Sequence, residues 1–368
     1  MLYHHSHEAY EVAASDAARH ARSIMEKKIT DGQASAVRLL EHVATAVPVD
    51  RIVPSGKLNY YVGNGELRAY ADPDYKDSAG IHDHALRQMA ERLGLPPSYV
   101  VDLAHGAANW QKELAAHNLN EHIARRQHER YLVRSVNGEV RGFLSDSFRR
   151  LDNRPLLDTF AGACQEYGAV PVEGVVTDTR ISIKAMLPLV FEPVPGEVLC
   201  LGAEWGNSDF GNGRHVLRMF IWRLWCTNKA TMEDALSQVH LGRRLAETIE
   251  FSEETYRLDT EASQSALKDV MRSVLSPAKV HGLLEGIKAA NAAGVDWAAA
   301  KKTLTKTELK LVQDAYKSDD VINLPAGNTA WRASNAVSWI AGKVEDPDRR
   351  GRLERLAGEM VNNKRDAA

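Results

Sequence analysis

The period of the chain changes at Tyr131. From there to Cys226, short β-type runs follow one another between turn residues. YLVRSV (131–136) and EVRGFLS (139–145) flank Asn137-Gly138, a pair that tolerates the positive φ angles of a type I′ hairpin turn. VPVEGVV (170–176) and RISIKAML (180–187) flank Thr177-Asp178-Thr179; VLCLGAEW (198–205) and the long run RHVLRMFIWRLWC (214–226) follow. A helix from Pro155 to about Tyr167 and a Pro-rich loop, FEPVPGE (191–197), interrupt them. On both sides of this centre the chain reads as mainly helical. The expectation is an α+β fold, with a central antiparallel or mixed sheet flanked by N- and C-terminal helices.

On the N-terminal side, residues 8 to about 47 read as helix and Pro48 closes it. LNYYV (58–62) and ELRAY (66–70) surround Gly63-Asn64-Gly65 as a second hairpin, and 72–80 reads as a loop. Ala85, Leu86, Met89 and Leu93 line one face of a helix over 83–93; Gly94 is placed to cap it, and Ser98 to cap a second helix, 99–103. A third spans about 108–130. Downstream, Ala235, Leu236, Val239, Leu245 and Ile249 follow helical spacing, so the chain is expected to be helical from Thr227 onward. Thr305 and Glu308 form a capping-box pattern, and Ala333, Ala336, Val337, Ile340 and Ala341 mark a further stripe. These shifts divide the chain into an N-terminal helical extension (1–48), a small hairpin-plus-helix segment (49–130), a strand-rich core (131–250) and a C-terminal helical region (251–368).

With 44% hydrophobic residues among 368, intrinsic disorder is excluded as a general description, and no apolar run is long enough to span a membrane. The N-terminus lacks a basic start followed by an apolar run, so a cytoplasmic protein is expected. Cys164, Cys200 and Cys226 are odd in number and far apart, which fits buried thiols better than disulfides or zinc ligation. His4, His5 and His7 are terminal. His82 and His84 flank Asp83 without further ligands at motif spacing, so no metal and no cofactor are expected. GNSDFGNGRH (206–215) is neither a Walker A loop nor a dinucleotide fingerprint, since a strand follows it. HALRQMAERLGLPPSYVVDLA (84–104) has helix-turn-helix outlines. Its second helix starts on Pro and apolar residues, which suits an ordinary packed helical hairpin better than a base-reading helix.

Charge is more informative locally than globally. The net charge of −3 gives no global case for nucleic-acid binding. Yet residues 122–154 hold eight arginines, Arg134, Arg141, Arg149, Arg150 and Arg154 among them, against four carboxylates. Residues 210–232 hold Arg214, Arg218, Arg223 and Lys229 with no carboxylate. Arg214 and Arg218 share a strand face, and Trp222 and Trp225 lie nearby, a combination that suits phosphate contact plus base stacking. A solvated, salt-bridged face around core tryptophans is the other reading.

Four stretches, HALRQMAERLGLPPSYV (84–100), VRGFLSDSFRRLDNRPLLD (140–158), GAEWGNSDFGNG (202–213) with RLWCTN (223–228), and NTAWRASNAVSWIA (328–341), together resemble a phage/plasmid-like family classed as a domain of unknown function. The likeness covers about residues 50–360. It implies an accessory protein of phages, plasmids and prophages, in a bacterial host cell, and carries no established catalytic residue. The strand-rich centre is also loosely similar to single-strand annealing proteins, an analogy of fold alone.

The first functional expectation is thus a non-enzymatic nucleic-acid binder, a single-strand annealing or DNA recombination factor. It would contact phosphates of single-stranded DNA through Arg134, Arg141, Arg149, Arg150, Arg154, Arg214 and Arg218, and bases through Trp222 or Trp225. It would act as a homo-oligomer, because the long strand 214–226 needs a covered edge. A common groove would require the hairpin 131–145 and that strand to lie in one layer or to face each other. Arg349 and Arg350, at the solvated start of the last helix, lie outside this patch. The alternatives are an enzyme acting on a phosphate-containing substrate through Asp146, Asp152, Asn153, Asn207, Ser208 and Asn228, and a helical protein–protein adaptor.

Overall fold

The computed structural model describes residues 10–70, 78–224, 229–238, 251–318 and 324–362. A long helix, α1 (Asp16–Thr45), leads in, its first turn capped by Ser15, whose Oγ accepts the Ala18 N–H at 3.1 Å. The first sheet is mixed. It uses β1 (Val49–Pro54), β2 (Asn59–Gly63), β3 (Glu66–Tyr70), β4 (Ser78–Ile81), β5 (Arg130–Val136) and β6 (Glu139–Ser145) in the order β1-β5-β6-β4-β3-β2. β4 and β6 run parallel, and the other described pairs of this sheet are antiparallel. α2 (Asp83–Leu93), α3 (Pro97–Ala104) and α4 (Asn109–Ala124) share one core with this sheet, in which Leu86, Met89 and Val100 meet Val53, Tyr131 and Phe143.

The second sheet is antiparallel in all its described pairs. β7 (Val170–Val176), β8 (Ile181–Met186), β10 (Glu197–Asn207), β11 (His215–Arg223) and β12 (Lys229–Gln238) run in the order β12-β11-β10-β8-β7, and the short β9 (Phe191–Val194) pairs with β10. Ile183, Trp205, Leu217 and Ile221 join one cluster with Phe160 of α5 (Asn153–Tyr167) and Met271 of α6 (Glu253–Val274). The alternate residues Met186, Cys200, Phe220 and Trp222 pack with Ala18, Ala21 and Met25 of α1. The remaining helices are α7 (Pro277–Ala292), α8 (Ala298–Thr303), α9 (Lys306–Lys317), α10 (Ala330–Ala341) and α11 (Pro347–Asn362). The fold is therefore α+β, with an N-terminal helix, one mixed and one antiparallel sheet, and C-terminal helices.

Both outer strands of the second sheet are held by helices at close range. α1 crosses β7 where Gly32 faces the Val172 backbone and a Cβ on Gly174 would sit 2.5 Å from the Ser35 carbonyl oxygen. The Ser35 hydroxyl accepts the Gly174 N–H at 2.9 Å, satisfying a donor that an edge strand would otherwise leave to water. α11 presses on β12 at Gly358, where a Cβ would collide with the Thr231 carbonyl.

Several sequence expectations hold in detail. Asn137 and Gly138 take φ of 51° and 78°, and Gly94 caps α2 at φ 76°. Thr305 and Glu308 form the reciprocal capping box. Cys164 and Cys200 are buried free thiols, and burial pushes both pKa values up; Cys226 lies outside the described residues. Others need correction. The helix expected from Thr227 is a strand over 229–238, because pairing with β11 outweighs the local helical pattern; residues 239–250 lie outside the described part. That strand also covers the edge of β11 within the chain. Residues 78–80, read as part of a loop, belong to β4, and 191–194 form β9. α3 begins on Pro97 with no side-chain cap from Ser98. The hairpin β5–β6 belongs to the first sheet, whereas the strands from 170 onward build the second. Among the described residues, no helix is long and apolar enough to cross a membrane.

Candidate anion-binding cleft

Of the arginines of the 122–154 run, all but Arg154 lie against the protein's own carboxylates. Arg134 is almost fully buried, at 1% exposure, and bonds three ways. Its Nε donates to Asp50 Oδ1 at 2.6 Å, one Nη to Asp152 Oδ1 at 2.6 Å and the other to the Asp209 carbonyl at 2.7 Å. Arg149 makes a two-pronged pair with Asp259 of α6, both bonds at 2.6 Å. Arg150 lies over the Tyr256 ring, 4.1 Å from its centre, with Asp50 3.3 Å away. Arg141 donates to Glu139 at 3.0 Å. Arg154 is exposed. A guanidinium held in this way is a structural tie, not a phosphate contact.

The second cationic segment divides similarly. Trp222 is buried, with Lys28 Nζ 4.3 Å above its ring, so it offers no open face for a base. Arg223 is clamped to Glu197 by two bonds of 2.6 Å. Arg214 is exposed just before β11, and Arg218 lines a cleft between the second sheet and α11. Trp225 and Asn228 lie outside the described residues. Hairpin β5–β6 and strand β11 thus sit in different sheets, and the expected row of phosphate contacts is not assembled from these residues.

The loop after β10 joins the two sheets. Asn207 donates to the Leu151 carbonyl at 2.7 Å and Ser208 to the Thr179 carbonyl at 2.6 Å. His84 and Gln88 of α2 both bond the Phe210 carbonyl, at 2.9 and 2.8 Å, and Gln88 also accepts the Phe143 N–H at 2.8 Å. Asp209 Oδ1 accepts the N–H of Asn153 at the start of α5, at 2.7 Å. Burial pushes the Asp209 carboxyl up to about 7 against the pull of Arg134, and repulsion from Asp152 and Asp50 adds to the rise. Asp146, by contrast, pairs with Arg130 at 3.3 Å. The Asp/Asn/Ser residues of the enzyme alternative therefore split between this seam and a separate ion pair. Among the described residues, no His, Cys, Asp and Glu set converges in a way that could hold a metal ion.

The open cationic site lies instead on the second sheet, where α11 leans over it. Along this face a row of alternating charge crosses the strands: Glu173 on β7 is in register with Lys184 on β8, Lys184 with Glu204 on β10, and Glu204 with Arg218 on β11. Lys184 is buried, and its Nζ lies 2.8 Å from Glu354 of α11 and 3.9 Å from Glu173. Burial works against its ammonium, but Glu354 and then Glu204 outweigh this and hold its pKa above the ordinary lysine value. Lys184 is thus a charged strut, not a nucleophile.

Beyond that strut, sheet and helix part to leave a cleft of about 330 Å³. Its floor is Ser182, Glu204, Gly206 and Arg218; Arg180 and the 212–213 loop form one rim, and Asp348, Arg352 and Arg355 of α11 form the other. Arg218 lies 3.7 Å from Glu204, and Arg180 pairs with Asp348. Arg352 is exposed and makes no ion pair among the described residues. Among the described residues, four guanidinium groups and two carboxylates line the cleft.

Of these residues, sequence reasoning named Arg218 alone. The signal for the helix side was present in Arg352 and Arg355, three apart and so on one helical face. Arg349 and Arg350, set aside as solvated, are tied down: Arg349 pairs with Glu308 of α9, and Arg350 donates to the Val344 carbonyl at 3.0 Å. Compared with known proteins, the chain matches no family model, no curated protein and no solved structure.

Proposed function

We propose that this protein binds nucleic acid, and that its phosphate contacts lie in the cleft between the second sheet and α11. The observation that carries this reading is the convergence of Arg180, Arg218, Arg352 and Arg355 on one opening in a chain of net charge −3. Guanidinium groups present paired donors that match phosphate oxygens, and a recess in which cations outnumber carboxylates favours anions. Arg214, exposed at the head of β11, extends the cationic edge. The motif resemblance to a phage/plasmid-like family supports an accessory role for a mobile element, with single-stranded DNA as the ligand to try first.

The test is fluorescence anisotropy of a labelled single-stranded oligonucleotide across a salt series. The parent protein should bind, and binding should weaken steeply with salt. Arg218→Gln with Arg352→Ala should flatten the slope of log K against log salt by about 0.7 for each phosphate that is no longer neutralised. Arg149→Ala with Arg150→Ala, which removes ties to Asp259 and Asp50, should leave the slope unchanged. A parent protein that does not bind refutes the reading, as does an equal flattening by both pairs.

A further inference from the structure

The cleft's charge and size narrow its ligand, on the reading that it holds nucleic-acid phosphate. Among the described residues that line it, four arginines stand against Glu204 and Asp348, an excess of two positive charges. Arg180 is paired with Asp348, and Arg218 lies 3.7 Å from Glu204, whereas Arg352 makes no ion pair among the described residues. A singly charged group that replaced Asp348 on Arg180 would only exchange one monoanion for another. A dianion would hold Arg180 and reach a second guanidinium as well. An internal phosphodiester carries a single charge, whereas a phosphomonoester carries roughly −1.5 to −2 near neutral pH and three strong acceptor oxygens.

Shape agrees with charge. Proteins that hold the interior of a single strand use grooves that track several nucleotides, with aromatic rings on which bases stack. This cleft is about 330 Å³, and among the described residues no aromatic side chain lines it. That volume lies at the small end of ordinary small-molecule sites, roughly 300–1,000 Å³, and suits one nucleotide rather than a run of them. Ser182 adds a hydroxyl side chain to the same lining.

We infer that the cleft recognises a phosphomonoester, the group carried by a phosphorylated strand end or by a free nucleotide, in preference to the phosphodiester interior of a strand. Arg180, Arg218 and Arg352 hold its oxygens, and Asp348 is the internal anion it displaces from Arg180. Asp348 thereby becomes a specificity-determining residue. Weakly charged anions fail to dislodge it, and its removal lowers that threshold.

The experiment compares one labelled oligonucleotide with a 5′-phosphate, with a 3′-phosphate and with hydroxyls at both ends, using deoxyadenosine monophosphate as competitor. One or both phosphorylated forms should bind at least ten-fold tighter than the hydroxyl form, and the monophosphate should compete. Arg352→Ala, at an exposed position, should erase most of that preference with the thermal midpoint unchanged. Asp348→Asn should tighten the hydroxyl form more than the phosphorylated ones and so narrow the ratio. Equal binding of all three oligonucleotides, still dependent on Arg218 and Arg352, overturns the phosphomonoester inference and leaves nucleic-acid binding standing. Binding of the monophosphate alone supports the phosphomonoester class and refutes the nucleic-acid reading. Binding of none of the probes refutes both.

Discussion

Asp209 offers the sharpest test of the seam between the sheets, because replacing it with asparagine changes charge while nearly preserving shape. The carboxyl is 3% exposed, accepts the Asn153 N–H at 2.7 Å, and has Asp152 and Asp50 among its charged neighbours, with the Arg134 guanidinium as the compensating cation. Its pKa rises from 3.8 to about 7, a shift of about three units. At about 1.4 kcal/mol per unit, ionising it in the folded state costs on the order of 4 kcal/mol, as a ceiling. Below pH 3.8 both folded and unfolded chains hold the proton, and the group is neutral in both. Between pH 3.8 and about 7 the unfolded chain has released its proton while the folded chain keeps it, so stability falls as pH rises. Above about 7 the full cost is present and the curve flattens. Asp209→Asn cannot ionise, keeps an acceptor oxygen for Asn153, and adds donors beside two carboxylates. The difference in stability between variant and parent should be near zero at pH 4. It should grow to at most about 4 kcal/mol in the variant's favour by pH 7.5 and stay level to pH 9. Calorimetric midpoints at a series of pH values read this directly, and subtraction cancels the other titrating groups. A difference that does not change with pH would refute the assignment, as would a variant less stable than the parent at pH 7.5.

Gly358→Ala should lower the thermal midpoint by the equivalent of about 1–3 kcal/mol, since the new methyl meets the Thr231 carbonyl and forces α11 away from β12; an unchanged midpoint would mean that the helix does not rest on that strand. Lys184→Met should cost about 3–5 kcal/mol by leaving Glu354 and Glu204 buried beside an apolar side chain. Adding Glu354→Leu should recover a large part of that loss, and purely additive effects in the double-mutant cycle would show that the two do not act as a pair.

Local chemistry was legible wherever one turn or one cap decides the outcome. Asn137-Gly138, Gly94 and the Thr305–Glu308 box each act within five residues, so their residue types declare them. The strand-rich centre was legible too, through β-branched and aromatic runs between turns. Two things were not. The helical spacing that begins at Ala235 and Leu236 runs on to Ile249, beyond the described residues, yet 229–238 form a strand, because the ladder with β11 outweighs the local pattern. The division into two sheets was hidden as well. β6 pairs in parallel with β4, some 60 residues upstream, and nothing in the hairpin itself announces a partner at that distance.

The cationic site was hidden for a different reason, which concerns how charge is counted. Arginines close in sequence look like a patch, because the carboxylates that neutralise them are not yet in view. Arg149 finds its partner 110 residues away in Asp259, and Arg134 finds one 84 residues away in Asp50. Each such pair removes a cation from the surface while leaving the local sequence count unchanged. The converse holds at the cleft. Arg180, Arg218, Arg352 and Arg355 come from the turn before β8, a central strand and a helix, and no short window of sequence contains them all. What gathers them is the charge row beneath: the Lys184–Glu354 strut fixes α11 on the sheet, and that contact turns Arg352 and Arg355 toward Arg180 and Arg218. A buried ion pair of this kind adds little net stability over a well-packed apolar pair. Here it sets the register of a helix against a sheet, and the register is what the cleft requires. The Lys184→Met/Glu354→Leu protein is therefore expected to recover much of its stability while its affinity for phosphorylated ligand falls.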